Sequence, residues 1–210
     1  IVIGAGAAGC VLASRLSEDA TRRVLLVEAG PDVAPDHEHP DIRDPLPVAH
    51  RNPAFSWPDL FAEVGAARDG QPRASRHFLQ GLGVGGGTNI NGSIAFRGQP
   101  GDYDRWRDRG ATGWAWDDVL PYFRKLETND LGGSQTRGDA GPMHATSVPP
   151  GNELVDAFIA ASQQLGVRRV NDFNTGDQEG VGYFQLSTRK GFRCSTAVGY
   201  LKPAMPRSNL

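Results

Sequence analysis

The sequence is short of the features that most quickly assign a chain to a class. It has two cysteines, Cys10 and Cys194, with no CxxC pair and no metal-like spacing. Both read as small packing residues rather than reactive thiols. They neither demand nor exclude an oxidising compartment, and a cytoplasmic, reduced protein is the expectation. A charge excess is also missing: 22 basic against 24 acidic residues leave a net charge of −2, which gives no reason to expect nucleic acid or an anionic membrane surface as partner. No apolar run approaches the length of a membrane span. The chain opens inside a strand-like run with neither an initiator methionine nor a signal peptide. It stops at Leu210, just after Pro203-Ala204-Met205-Pro206, where a connection is starting. Both ends therefore read as cut, and the missing targeting signal carries no information.

Glycine and proline, by contrast, are abundant, at 27 and 15 of 210 residues, so much of the chain should be loop around a modest number of regular elements. The first thirty residues organise the rest. Ile1-Val2-Ile3 reads as a buried parallel strand, Gly4-Ala5-Gly6-Ala7-Ala8-Gly9 as a turn into a helix, and Val24 to Val27 as the next strand, ended by Glu28. Strand, tight turn, helix, strand and acid in this order form a dinucleotide-binding fingerprint. Gly4 gives the turn its freedom, Gly6 lets the main chain approach a pyrophosphate, and Gly9 lets helix and strand pack closely. The helix start offers N–H groups and partial positive charge to phosphates. Glu28 can accept hydrogen bonds from ribose hydroxyls and would repel a 2′-phosphate, which disfavours NADP. The motif alone does not choose between FAD and NAD.

The helix should run from Ala7 to about Ser17 with Ala8, Val11, Leu12 and Leu16 as its apolar face. Prolines at 31, 35, 40, 45, 47, 53, 58 and 72 forbid a long helix or central strand beyond it. His37 and His39 in DHEHPD read as solvated loop histidines. Phe55, Trp57, Leu60 and Phe61 are too apolar for a free linker and suggest a loop folded back on the body as a lid or cavity wall. A second glycine-rich stretch, Gln80 to Ser93, passes into Thr88, Asn89, Asn91 and Ser93 and then Ile94, Ala95 and Phe96. A flexible loop would not lead into that mixture, so a second cofactor contact is the favoured reading.

Further on, residues 101–107 and 117–127 read as helices, with Pro121 tolerable only if the second begins near Asp118. Trp106, Trp114, Trp116, Tyr122 and Phe123 read as core or interdomain packing. Asn129 to Gly141 reads as a surface loop and Met143 to Val148 as a strand. Asn152 to Leu165 reads as an amphipathic helix with Leu154, Val155, Phe158, Ile159 and Leu165 on one side and Gly166 as its stop. Val181 to Thr188 is strand-like, and Ser195 is placed to cap a last helix that Pro203 ends.

Taken together, GAGAAGCVLASRLSED, LLVEAG, VGGGTNINGS, AFRGQPGDYDRW, GWAWDDVLPYFRKLE, GPMH and CSTAVGYLKPAMPRSNL resemble the N-terminal part of the glucose–methanol–choline (GMC) oxidoreductases, over essentially the whole chain. The choline-oxidising and broad alcohol-oxidising branches are the nearest. The resemblance implies an α/β fold with a Rossmann-like FAD-binding domain, in a fragment lacking most of the substrate domain. It implies an FAD core over 1–98 with a long loop at 31–75, a cofactor-covering segment over 99–180 that returns to the FAD domain, and the start of a substrate-domain connection over 181–210. Gly4, Gly6, Ala7, Ala8, Gly9, Glu28 and Ala29 would hold the ADP half of FAD. Gly83, Gly85, Gly86, Thr88, Asn91, Gly92, Ser93 and Ile94 would line the pyrophosphate and flavin.

The family's chemistry is hydride transfer from an alcohol, choline or another primary alcohol, to FAD, with oxygen or a quinone or other carrier as final acceptor. Three departures stand out. The family's common LGGSS is replaced by Val84-Gly85-Gly86-Gly87-Thr88. Where some members tether flavin through histidine, this chain has Ile90, which implies non-covalent FAD. The family's catalytic histidine and its partner lie beyond Leu210, and none of His37, His39, His50, His77 and His144 matches them, so no catalytic base is assigned here and the chain alone is expected to be inactive. The competing readings are an NAD-linked enzyme, which leaves residues 81–93 unexplained, a flavin-binding remnant without turnover, and a lyase of the same family that keeps FAD without redox chemistry.

Overall fold

The computed structural model describes residues 1–32, 37–65 and 72–210. Pro35, Asp36 and Gln71 of the proline-rich stretch lie outside the described residues. The chain divides into two compact units: Ile1–Gly92 with Ser195–Leu210, and Ser93–Cys194.

The first unit is built on a parallel β–α–β element. Strand β1 (Val2–Ile3) pairs with β2 (Leu26–Val27) in the register Val2↔Leu26 and Ile3↔Val27, and helix α1 (Ala7–Leu16) connects them. The predicted order is present, but two burial expectations fail. Ile1 and Ile3 are 88% and 87% exposed rather than buried, because β1 has one paired neighbour and its outer face is uncovered. On α1 the buried face is Gly9, Cys10, Ala13 and Ser14, while Leu12 is half exposed. Small side chains win this face because the helix lies against backbone. A Cβ added at Gly9 would stand 1.8 Å from the Gly4 carbonyl oxygen, so only residues with little or no side chain fit there. Ala5, Cys10, Ala13, Ala197 and Leu201 form the core of this unit, with Val24, Leu26, Val84 and Leu210 packed on it.

The proline-rich stretch contains a short helix α2 (Pro40–Arg43), 3₁₀ turns at Ala49–Arg51 and Pro53–Phe55, and an antiparallel pair β3 (Phe61–Val64) and β4 (Ala74–His77). That pair was not expected, since Ala-Ser-Arg-His shows none of the β-branched or aromatic alternation that marks a strand. The C-terminal stretch differs from expectation in part: Ser195 Oγ accepts from Val198 N–H at 3.4 Å, as its capping place requires, but the element it opens is not an α-helix. Ala197–Leu201 is a π-turn, followed by α6 (Lys202–Ala204). Pro203 does not end it, because it falls in the first turn, where its missing N–H has no intrahelical partner to lose.

The second unit opens with α3 (Pro100–Asp108), whose Asp102 carboxylate accepts from the Gln99 N–H at 2.8 Å. Helix α4 (Trp116–Leu126) starts earlier than expected. Asp118 accepts from the Ala115 N–H at 3.0 Å and fixes the start at Trp116, which leaves Pro121 inside the helix. Tyr103 stands at the centre of the aromatic group, with Trp106, Trp116 and Phe123 at ring distances of 5.4, 5.7 and 5.6 Å. Of the five aromatics expected to pack, Tyr122 is exposed and Trp106 and Trp114 are about half exposed. Strands β5 (Glu127–Asn129), β6 (Met143–Ser147) and β7 (Gln185–Leu186) form a three-stranded sheet, parallel then antiparallel. Strands β8 (Thr188–Arg189) and β9 (Phe192–Arg193) make a tight hairpin through Lys190 and Gly191, both at positive φ as a type I′ turn requires.

Two further expectations are corrected here. Helix α5 (Glu153–Gln164) has the predicted bounds, with Asn152 capping Val155 N–H, but of its apolar side only Ile159 is buried while Leu154 and Phe158 are exposed. The stretch from Asn129 to Gly141 is not simply a surface loop. It carries Arg137, 2% exposed, into a polar centre where its guanidinium meets Glu127, Asp172 and Gln185, and Glu127 also meets Arg97. Five buried or half-buried polar groups from distant segments satisfy one another there, which is the condition for charge to lie inside a fold.

Candidate functional site

The first unit gathers three segments that the sequence keeps far apart: the Gly4–Gly9 turn, the end of β2 at Glu28 to Pro31, and the glycine-rich loop from Gly81 to Asn89. Close backbone approach explains why glycine recurs in all three. A Cβ at Gly30 would fall 2.3 Å from Gly83 N, one at Gly81 2.4 Å from the Gly86 carbonyl, and one at Gly86 2.8 Å from the Gly6 Cα. Gly83, Gly85 and Gly86 also hold positive φ of 105°, 102° and 50°, a conformation that L side chains rarely adopt.

Hydrogen bonds lock the segments. Gly85 N–H donates to the Ala5 carbonyl at 2.7 Å, and Val84 N–H to the Pro31 carbonyl at 3.1 Å. Asn89, which sits in the 3₁₀ turn Gly86–Asn89, donates from Nδ2 to the Val84 carbonyl at 2.7 Å. Glu28 is the acidic hub. Its Oε2 accepts from Ala5 N–H at 2.6 Å and its Oε1 from Gly30 N–H at 2.9 Å. Partial burial opposes its ionisation, but the amides of Gly30, Ala5, Ala29 and Gly83 outweigh that and hold its pKa below the ordinary carboxylate value. The carboxylate thus fastens the glycine turn to the end of β2.

The residues fit a dinucleotide on observations of the fold. Gly6 and Gly87 have nothing within 4 Å of where a Cβ would stand, so both stretches present bare main chain to open space. Helix α1 starts at Gly6 with no side-chain cap and no acid in its first turn, leaving the N–H groups around Ala7 and Ala8 to an anion. Beside Glu28 lies a cleft of about 320 Å³, lined mainly by apolar residues including Val24, Leu26, Val84 and Leu201, with Glu28 and Asp32 as its carboxylates.

Of the predicted site residues, the fold brings together Gly4, Gly6, Ala7, Ala8, Gly9, Glu28, Ala29, Gly83, Gly85, Gly86 and Thr88 within this unit. Asn91 and Gly92 follow directly and are exposed. Ser93 and Ile94 belong to the second unit. There the Ser93 carbonyl accepts from Ser187 N–H at 2.6 Å, and Ile94 bridges Leu186 at the edge of the sheet. Ile90 is buried at 7% exposure. Thr196 was missed altogether. Its N–H donates to Thr88 Oγ1 at 3.2 Å across a separation of 108 residues, which no local spacing signals.

Both cysteines pack as expected. Cys10 Sγ points to the Ala5 carbonyl at 3.1 Å, and burial pushes both thiols above their ordinary pKa, so neither is an activated nucleophile. Among the described residues no group of three histidine, cysteine or carboxylate side chains is placed to hold a metal, and no helix is long and apolar enough to cross a membrane.

Known proteins resemble the chain over its whole length. The family model described as GMC oxidoreductase matches residues 1–210. An oxygen-dependent choline dehydrogenase of Sinorhizobium fredii is 37% identical over 216 residues, covering all of this chain and 37% of the relative. The mitochondrial choline dehydrogenase of Homo sapiens is 38% identical over 215 residues and is covered to 36%. Among solved structures, pyridoxine 4-oxidase from Mesorbium loti superposes with a TM-score of 0.82 at 35% identity, over 99% of this chain and 40% of that one. An FAD-dependent oxidoreductase from Chaetomium thermophilum reaches a TM-score of 0.85 at 27% identity, over 99% of this chain and 37% of that one. The chain thus spans well under half the length of the proteins it matches. A match that runs from the first residue to the last, on a fold whose glycine turns converge at an acid-ended strand, places the chain in the GMC oxidoreductase family.

Proposed function

We propose that the protein carrying this chain is an FAD-dependent oxidoreductase acting on the CH–OH group of alcohols, and that this chain is the part that holds the cofactor. The observation that carries the reading is the junction of the two glycine stretches. Gly85 N–H on the Ala5 carbonyl sets a second bare backbone beside the fingerprint turn, a feature that a nicotinamide site built on the fingerprint alone leaves without a purpose. In this reading Gly4, Gly6, Ala7, Ala8 and Gly9 approach the pyrophosphate, and Glu28 and Ala29 face the adenosine ribose. The main chain of Gly83, Gly85, Gly86 and Thr88 extends the cradle, and Asn91, Gly92, Ser93 and Ile94 continue towards the flavin. When bound, FAD supplies the hydride acceptor, and the chain's own share is to bind it, orient it and keep water from it.

The choline dehydrogenases at 37% and 38% identity support choline or a similar primary alcohol as substrate, and the pyridoxine oxidase supports the alcohol class more broadly. Oxygen or a quinone-type carrier would take the electrons onward. Buried Ile90 offers no nucleophile to the flavin, which supports dissociable FAD. Two free buried cysteines suit a reducing, cytoplasmic setting. The test is a visible spectrum of the purified full-length protein, followed by acid precipitation. Flavin absorption bleached anaerobically by choline or another primary alcohol, with the flavin released into the supernatant, is expected. Absence of flavin, or a flavin that no alcohol reduces, would sink the reading.

A further inference from the structure

We propose that Thr196 is a positioning residue for the cofactor loop, and that the Thr88 hydroxyl serves the protein rather than the cofactor. This rests on the reading of the first unit as an FAD site. Thr88 Oγ1 donates its single proton to the Gly85 carbonyl at 2.5 Å, and accepts from Thr196 N–H at 3.2 Å and from the Thr196 hydroxyl at 3.1 Å. A hydroxyl has a single proton, and here the Gly85 carbonyl takes it. A phosphate oxygen needs a donor, and the Thr88 proton is committed elsewhere. The hydroxyl instead performs two structural tasks at once. It tightens the 3₁₀ turn that starts at Gly85, and it ties that turn to Thr196, the residue that leads into the π-turn Ala197–Leu201.

Gly85 N–H in turn holds the Ala5 carbonyl, which also takes Cys10 Sγ at 3.1 Å. Thr196, 7% exposed, is therefore joined through Thr88 and Gly85 to the fingerprint turn without facing open space itself. Its role is to hold the Gly85–Thr88 amides in the orientation a diphosphate requires.

The experiment compares Thr196→Val, Thr196→Ser, Thr88→Val and the double Val variant in the deflavinated full-length protein. FAD affinity is measured by quenching of flavin fluorescence, and amide hydrogen exchange over residues 83–91 is measured without cofactor. Thr196→Val should weaken FAD binding about tenfold and lose protection at 83–91, while Thr196→Ser stays within about twofold of wild type. The double variant should be no weaker than the weaker single one. Unchanged affinity and protection in Thr196→Val would overturn the proposal, as would additive losses in the double variant, which would place Thr88 on the cofactor. If Thr196→Val fails to fold, Thr88→Val compared with Thr88→Ser decides between the same two outcomes. Wild-type protein that takes up no FAD but shows the exchange pattern would instead defeat the functional reading and leave the positioning role standing.

Discussion

Arg137 grips Glu127 with two parallel hydrogen bonds inside the second unit, Nε to Oε2 at 2.8 Å and Nη2 to Oε1 at 2.7 Å. The same guanidinium reaches Asp172 at 2.5 Å and Gln185 at 2.8 Å, and Arg97 meets Glu127 Oε2 at 2.7 Å. Two arginines and two carboxylates balance, and burial, the largest influence on Arg97, pushes its pKa down despite that balance. Such a network stabilises the fold only while every member is present.

Arg137→Met should therefore cost about 3–5 kcal/mol, because it leaves buried carboxylates with too few cations. Arg137→Lys should recover only part of this, since an ammonium cannot bridge both Glu127 oxygens as a planar fork does. By contrast Arg22→Ala, which breaks the exposed pair with Asp19, should change stability by less than about 1 kcal/mol. Urea unfolding midpoints of the three variants check the ranking, and equal losses at positions 137 and 22 would refute it.

The arginine network also shows where sequence reading stops. Residues 129–141 are polar and glycine-rich, which is the composition of a solvated loop, and solvation is the default for an arginine. Burial of Arg137 takes Asp172 and Gln185 as well as Glu127, and those two, 35 and 48 residues away, are invisible at 137 itself. The fingerprint was legible for the opposite reason. Its parts lie within thirty residues, and two of its glycines answer local demands of the fold, positive φ at Gly4 and close approach at Gly9. The same locality let the start of α5 be read from Asn152. Its buried face was not read, because which apolar residues are covered depends on what packs against the helix. Likewise Ile1 and Ile3 read as core from their type, yet covering them takes a neighbour on the outer face of β1.

The glycines of the fingerprint should separate by property. Gly9→Ala would place a methyl group against the Gly4 carbonyl at 1.8 Å, and backbone on both sides must move. A loss of about 1–3 kcal/mol or more is expected, the usual cost of overpacking against rigid neighbours. Gly6→Ala meets nothing within 4 Å and sits at an N-cap with φ −73°, so its stability should stay within about 1 kcal/mol of wild type. If that open space takes the diphosphate, as the proposed function has it, the added methyl group should lower FAD affinity sharply. Thermal midpoints of the cofactor-free proteins together with flavin titrations test the split. A Gly6→Ala protein that binds FAD normally would remove that glycine from the cradle.

Glu28 gives a pH signature with a defined sign. Its folded pKa lies below the ordinary carboxylate value, so its contribution to stability is fully present above about pH 5, the upper edge of the unfolded titration, and is lost as pH falls through the folded value. Glu28→Gln keeps the shape, but one of its two terminal atoms can no longer accept, so either Ala5 N–H or Gly30 N–H is left without its acceptor. The stability gap between wild type and Glu28→Gln should be constant from about pH 5 to pH 8 and shrink below about pH 4 as the wild-type carboxylate takes up its proton. Urea unfolding of both proteins at closely spaced pH values measures that gap. A gap that widened on acidification would mean that the folded protein favours the protonated acid, contrary to four backbone amides directed at it.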